Sequence, residues 1–265
     1  MMHLPFWITS LLWFLLIGAN AQVTTNGQGT VEITGIPMVV QQENACALAC
    51  AERLFRHHAA LQLRPAATTN ALAAAAFDPA DFAKDAGAHH ERGTMPADMV
   101  SALRKHAPPA GLQVRVHHLD GAKELLGHIT DYNRIASRKP GEPLFLDETP
   151  QAQFYRQAER PILQQVRLAR VKEKAAFEKA VIASVDAGQP LIWVVMLNVA
   201  VEHPVPPIKE TIGHVRLITG YNKRKRLIIY SDTWGRRKDA RKALPVDTAW
   251  IISTGLVGLE PGPAD

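Results

Sequence analysis

The sequence predicts an α+β protein, a helical front half followed by an antiparallel sheet, and three observations carry that prediction. Apolar residues recur at three- and four-residue spacing through much of residues 46–187, as helices that bury one face require. The last third holds short continuous apolar runs such as 190–197, PLIWVVML, the pattern of strands buried on both faces. Helices and strands thus segregate along the chain, and no internal repeat or long low-complexity tract interrupts them. With 265 residues, 47% of them hydrophobic, the chain has ample material for one large domain or two small lobes.

Residues 1–21 form an apolar run that closes with Ala19 and Ala21 around Asn20, and they read as a secretory signal peptide cleaved before Gln22. Thr9, Ser10, Gly18 and Asn20 break up the ~20 apolar residues a spanning helix needs, so an uncleaved membrane anchor is the alternative. Export is therefore expected, to the periplasm or the exterior. Residues 22–35 are polar and read as a flexible lead-in, with only Val31, Glu32 and Ile33 suggesting an extended piece.

Residues 36–58, IPMVVQQENACALACAERLFRHH, begin the folded part. Leu48, Ala51, Leu54 and Phe55 mark one helix face, Glu52, Arg53 and Arg56 can face water, and Cys46 falls at the helix start. The alanine-rich stretch 61–88 suggests small helices broken at Pro65 and Pro79, with Asp78 or Asp81 as caps. Residues 95–106 repeat the helical pattern until Pro108 and Pro109 end it. Residues 112–118 alternate like a strand, 121–136 are helical through Leu125, Leu126 and Ile129, and Pro140, Pro143, Pro150 and Pro161 break the stretch 139–161. A single helix is expected over 161–187, closed by Gly188. Strands are expected at 190–197, from His214 onward, at 227–230 after a basic turn, and at 250–257.

The formal charge of +5 is concentrated in Lys223-Arg224-Lys225-Arg226 and Arg236-Arg237-Lys238, with Arg241 and Lys242 just after. Without interleaved aromatic residues for base stacking, these runs read as a solvated turn and loop and predict no nucleic-acid partner. Membrane contact is expected only through an uncleaved amino-terminal anchor.

The chemistry centres on Cys46. A thiol at a helix start meets unpaired backbone N–H groups and the positive end of the helix dipole, which favour thiolate. Downstream, His214 in GHVRLITGYN and Asp232 in IYSDTWG complete a nucleophile, its base and the base's orienter in chain order. Cys50 lies four residues on, where a regular helix sets Cβ atoms about 5–6 Å apart against the ~3.8 Å a relaxed disulfide prefers. It therefore reads as a structural thiol, although a Cys46–Cys50 disulfide is the default in an oxidising compartment. The pairs His57-His58, His89-His90 and His117-His118 lack metal-site partners and read as surface histidines. No metal and no cofactor are expected.

Gln-x(4)-Cys leading into a helix, Gly-His-x-x-Leu-Ile-x-Gly-Tyr-Asn and Ser-Asp-x-Trp-Gly together resemble the papain-like cysteine peptidases, in particular the branch related to bacteriocin-leader-processing (double-glycine) peptidases. The resemblance covers 36–56 and 213–261, while 59–189 match only as family-typical helices. It implies a peptidase domain over 36–265, with a helical lobe carrying the cysteine and an antiparallel lobe carrying the histidine and aspartate. It makes Cys46 the nucleophile, His214 the general base and acid, Asp232 the orienter, and Trp234 a shield over the pair. The family's oxyanion glutamine stands six residues before the cysteine, whereas here Gln41 stands five before and Gln42 four. Gln41 is chosen because the preceding IPMV resembles the family's approach to that glutamine. The function so implied is an exported thiol hydrolase that cleaves peptide or protein substrates through an acyl-enzyme. The alternatives are a catalytically silent peptide-binding module, motivated by the glutamine spacing, and a disulfide-stabilised structural protein.

Overall fold

A computed structural model describes residues 22–62, 77–139, 141–236 and 239–262. The segment 1–21, expected to be a signal peptide, lies outside the described residues. In chain order the elements are β1 (Gln22–Thr25), β2 (Thr30–Thr34), α1 (Cys46–Gln62), α2 (Pro79–Asp85), α3 (Pro96–His106), β3 (Leu112–Leu119), α4 (Ala122–Ala136), α5 (Gln151–Gln157), α6 (Arg160–Ala169) and α7 (Val171–Asp186). They continue with β4 (Leu191–Met196), β5 (Gly213–Asn222), β6 (Leu227–Ser231), β7 (Lys242–Pro245), α8 (Val246–Ile252) and β8 (Ser253–Pro261).

Among the described residues the strands join one antiparallel sheet in the order β1-β2-β5-β4-β8-β3, with β6 also paired to β5 and β7 to β6. The central strand β4 is buried along its whole length, as its unbroken apolar run requires. Its residues alternate between two cores. Ile192 and Val194 pack with α1, α2 and α3 on one face, whereas Leu191, Trp193 and Val195 pack with α4 to α8 on the other. The α+β architecture is thus a sheet between two helical layers, and α1 lies directly on β5.

Several local expectations change. Residues 22–35 form a β-hairpin whose second strand pairs with β5 through Thr30 and Asn222, so the lead-in extends the sheet. The helix expected over 161–187 breaks at Arg170 (φ −83°, ψ 64°). The break lets α6 pack on α4 and α8 while α7 turns onto β5. Residues 250–252 close α8 instead of opening a strand. There Trp250 is fixed by its indole N–H, which donates to the Arg167 carbonyl at 2.8 Å, a tertiary contact that overrides β-branched propensity. The histidine pairs are not all on the surface: His57 and His58 are buried in the core, His89, His117 and His118 are half-buried, and of the six His90 is exposed. None of the helices among the described residues is long and apolar enough to cross a membrane.

Candidate active site

The turn before α1 sets the thiol. The Ala45 N–H donates to the Gln42 carbonyl, Asn44 takes a positive φ of 54°, and the Asn44 amide donates to the His90 carbonyl at 2.7 Å. Cys46 is then the first helical residue, facing the backbone N–H groups that a helix start leaves unpaired. One turn later the Cys50 thiol donates to the Val215 carbonyl at 3.5 Å and fastens α1 to β5. Because Val215 follows His214, this contact brings Cys46 to the histidine.

The two side chains hydrogen-bond to each other. His214 is 4% exposed, and its Nε2 lies 2.9 Å from Asp232 Oδ1. With Nε2–H donated to the carboxylate, Nδ1 is the ring nitrogen available to the thiol. Trp234 stacks on the imidazole at 4.3 Å between centroids and 8° between planes. Hence the ring is fixed on three sides.

Electrostatics follow from these contacts. Burial opposes ionisation of Cys46, but the His214 charge, its hydrogen bond, and backbone hydrogen bonds from Val215 and Ala47 together lower the thiol's pKa. Burial likewise opposes the imidazolium, yet the Cys46 charge and the Asp232 hydrogen bond leave the His214 pKa raised. Against the burial that disfavours its charge, Arg216, His214 and Lys242 hold Asp232 well below the usual carboxylate range. Cys50 is different: burial pushes its thiol up, and both cysteines are free.

Gln41 joins this group through Thr233. Its backbone N–H donates to the Thr233 carbonyl at 2.8 Å, and the Thr233 hydroxyl donates to Gln41 Oε1 at 2.5 Å. Next to it, a Cβ on Gly235 (φ +78°) would meet Val40 at 2.8 Å, so only glycine lets the glutamine segment lie against the Trp234 turn. Gln42 is exposed to solvent.

Sequence reasoning missed the groups around Asp232. Arg216 Nε donates to Asp232 Oδ1 at 3.1 Å, Lys242 Nζ donates to Oδ2 at 2.7 Å, and Arg216 also reaches Glu202 Oε2 at 2.5 Å. Lys242 is 4% exposed, which corrects its reading as part of a solvated run. Arg216 left a signal: in the strand GHVRLITGYN it sits two residues from His214, on the same face. Lys242 left none. A low-pKa thiol hydrogen-bonded to a raised-pKa imidazole can attack a carbonyl carbon and then protonate a leaving group.

The profile described as the Peptidase_C39 like family matches residues 33–253. Among solved structures, xylellain, a cysteine protease from Xylella fastidiosa, aligns at 13% sequence identity over 91% of this chain and 88% of that chain, with a TM-score of 0.44. A comparison with curated proteins finds no match.

Proposed function

The chain belongs to the Peptidase_C39 like family and is a cysteine-type peptidase, and from that premise we propose that it cleaves peptide bonds through an acyl-enzyme on Cys46. The observation that carries this reading is the contact series from the Cys46 thiol through His214 to Asp232, under the Trp234 ring. The Cys46 thiolate attacks the scissile carbonyl carbon, and the carbonyl π electrons move onto its oxygen. When that tetrahedral species collapses, the His214 imidazolium gives its Nδ1 proton to the departing amine, leaving a thioester on Cys46. Water then attacks the thioester, His214 takes the water's proton, and the thiolate leaves as the acid product departs. Asp232 holds Nε2 throughout and keeps the ring in the required tautomer.

Gln41 is the oxyanion donor in this reading. Because Thr233 occupies the side-chain carbonyl oxygen, the amide –NH2 is the end left to donate, acting in this reading together with the backbone N–H of Cys46. The apolar segment 1–21, closed by Ala19-Asn20-Ala21, supports export with cleavage before Gln22. The test is chemical. Iodoacetamide is expected to label Cys46 ahead of Cys50, and Cys46→Ser is expected to abolish both the labelling and the hydrolysis of a peptide library while the fold persists. Preferential labelling of Cys50, or hydrolysis by Cys46→Ser, would overturn the assignment.

A further inference from the structure

A buried aspartate needs one cation to offset its charge, and Asp232 has two. Its side chain is 0% exposed; Oδ1 accepts from His214 Nε2 and Arg216 Nε, and Oδ2 accepts from Lys242 Nζ. The second cation is itself balanced. Glu202 binds Arg216 at 2.5 Å, and Tyr230 donates to the same Glu202 oxygen at 3.5 Å. Asp239 lies 3.0 Å from Lys242 Nζ and is held in turn by Arg236, whose Nη2 is 2.9 Å away. Among the described residues, three anions therefore face three cations. Cys46, Cys50 and Arg53 of α1 complete, among the described residues, the charged and titratable groups acting on the site, with the Arg53 Nε tied to the Pro37 carbonyl at 2.9 Å.

We infer that Lys242 and Arg216 are positioning residues for the proposed Cys46–His214 pair: they anchor both oxygens of Asp232 and cancel its charge, so that His214 meets a fixed acceptor instead of an uncompensated anion. The inference rests on the reading of Cys46 and His214 given above. It deepens that reading by naming what sets the charge state of the pair. The geometry is specific to this role. Lys242 Nζ and the Arg236 guanidinium also stand 5.2 and 5.1 Å from the Trp234 ring that covers His214, so one group of cations holds both the ring's acceptor and its lid.

The sign of the effect follows from charge alone. Removing Lys242 leaves excess negative charge near the pair, which favours the imidazolium and disfavours the thiolate, so the pH at which the Cys46 thiolate forms moves up. Neutralising Asp232 while leaving Arg216 and Lys242 does the opposite. At these separations in a partly screened interior each shift is about one pH unit.

The experiment measures the rate of Cys46 alkylation by iodoacetamide against pH, on the full chain, which needs no identified substrate. Lys242→Met is expected to move the thiolate midpoint up, Asp232→Asn to move it down, and the double variant to return towards wild type. A loss of packing alone gives no such opposed shifts. Should Lys242→Met fail to fold, Lys242→Gln, which removes the charge and keeps a polar end in the same place, takes its part in the comparison. A wild-type midpoint in the ordinary range of a free thiol would overturn the catalytic reading itself. A lowered wild-type midpoint with variants that stay put, or that move the same way, would overturn the role of Lys242 and Arg216 alone.

Discussion

Two buried clusters in this protein each gather an aspartate, an arginine and a histidine, and they drive those groups in opposite directions. Around His214 the aspartate is held ionised and the histidine pKa rises. The second cluster links β3, α4, α6, α8 and β8. There burial pushes Asp120 up to about 6 and His128 down to about 2, the nearby Arg167 adding to the histidine's shift and only partly opposing the aspartate's. Residue type does not decide between these outcomes; whether neighbouring charges offset the burial does, and the hydrogen bonds each ring makes match the form that results. His214 donates to Asp232 and has a thiol at its other nitrogen. His128 presents its Nε2 to the Arg167 guanidinium at 2.8 Å, which requires a lone pair and hence a neutral ring. Arg167 then spends its other nitrogen on the carbonyls of Trp250 and Ser253, at 3.1 and 2.5 Å, and works as a clamp between helix and strand.

The largest expected difference between the clusters is in turnover. His214→Ala is expected to reduce peptide hydrolysis by roughly two to four orders of magnitude, the range general acid–base catalysis supplies. His128→Phe is expected to leave turnover per folded molecule unchanged, since its ring touches no part of the proposed site. Equal losses from both variants, measured at matched folded fraction, would break the distinction.

A smaller effect tests half-buried Gln41, which joins the first cluster through Thr233. Gln41→Ala is expected to cost about 2.7–4 kcal/mol of transition-state stabilisation, mainly in kcat. Its iodoacetamide labelling should largely survive, because alkylation builds no tetrahedral oxyanion. Gln42→Ala is the control: exposed and one residue along, it should change kcat little. A reversed pair of results would give Gln42 the role.

The parts legible in sequence were those that periodicity or residue chemistry marks. Leu48, Ala51 and Leu54 placed α1, the run 191–196 placed a fully buried strand, and the residue types of Cys46, His214 and Asp232 pointed to groups that the fold does bring into contact. The illegible parts depend on pairing between distant segments. Lys242 and Arg241 are adjacent basic residues in one polar stretch, yet β7 pairs Lys242 with Tyr230 and buries it while Arg241 stays exposed on Glu32. Val31 and Ile33 alternate as in a strand, but the pairing of that strand with β5, far along the chain, leaves no local mark, so the sheet edge it forms could not be read from residues 22–35. The break at Arg170 has no proline or glycine to announce it. It exists because α6 and α7 pack in different directions.

The smallest predicted effect separates the clusters by pH. His128, whose pKa falls to about 2 in the folded protein, binds its proton only in the unfolded chain between there and an unfolded value of ~6.5, so stability rises with pH across that window. His118, held at about 3, and His58, held at about 4, act the same way. Asp120 opposes them. With a folded value of about 6 against ~3.9 unfolded, it keeps its proton in the native state, and its contribution falls as pH rises from ~4 to ~6. Asp232 is depressed, so its contribution is present above ~3.9 and lost only as pH falls below that, outside the window. Asp120→Asn therefore removes the one opposing slope in the second cluster. Its unfolding free energy is expected to drop more steeply than wild type on acidification from pH 6 to 4, by up to about 1.4 kcal/mol per pH unit. Urea unfolding at a series of pH values measures this directly. An unchanged slope in Asp120→Asn would mean that Asp120 is ionised in the folded protein across this range, and that the two clusters treat their aspartates alike.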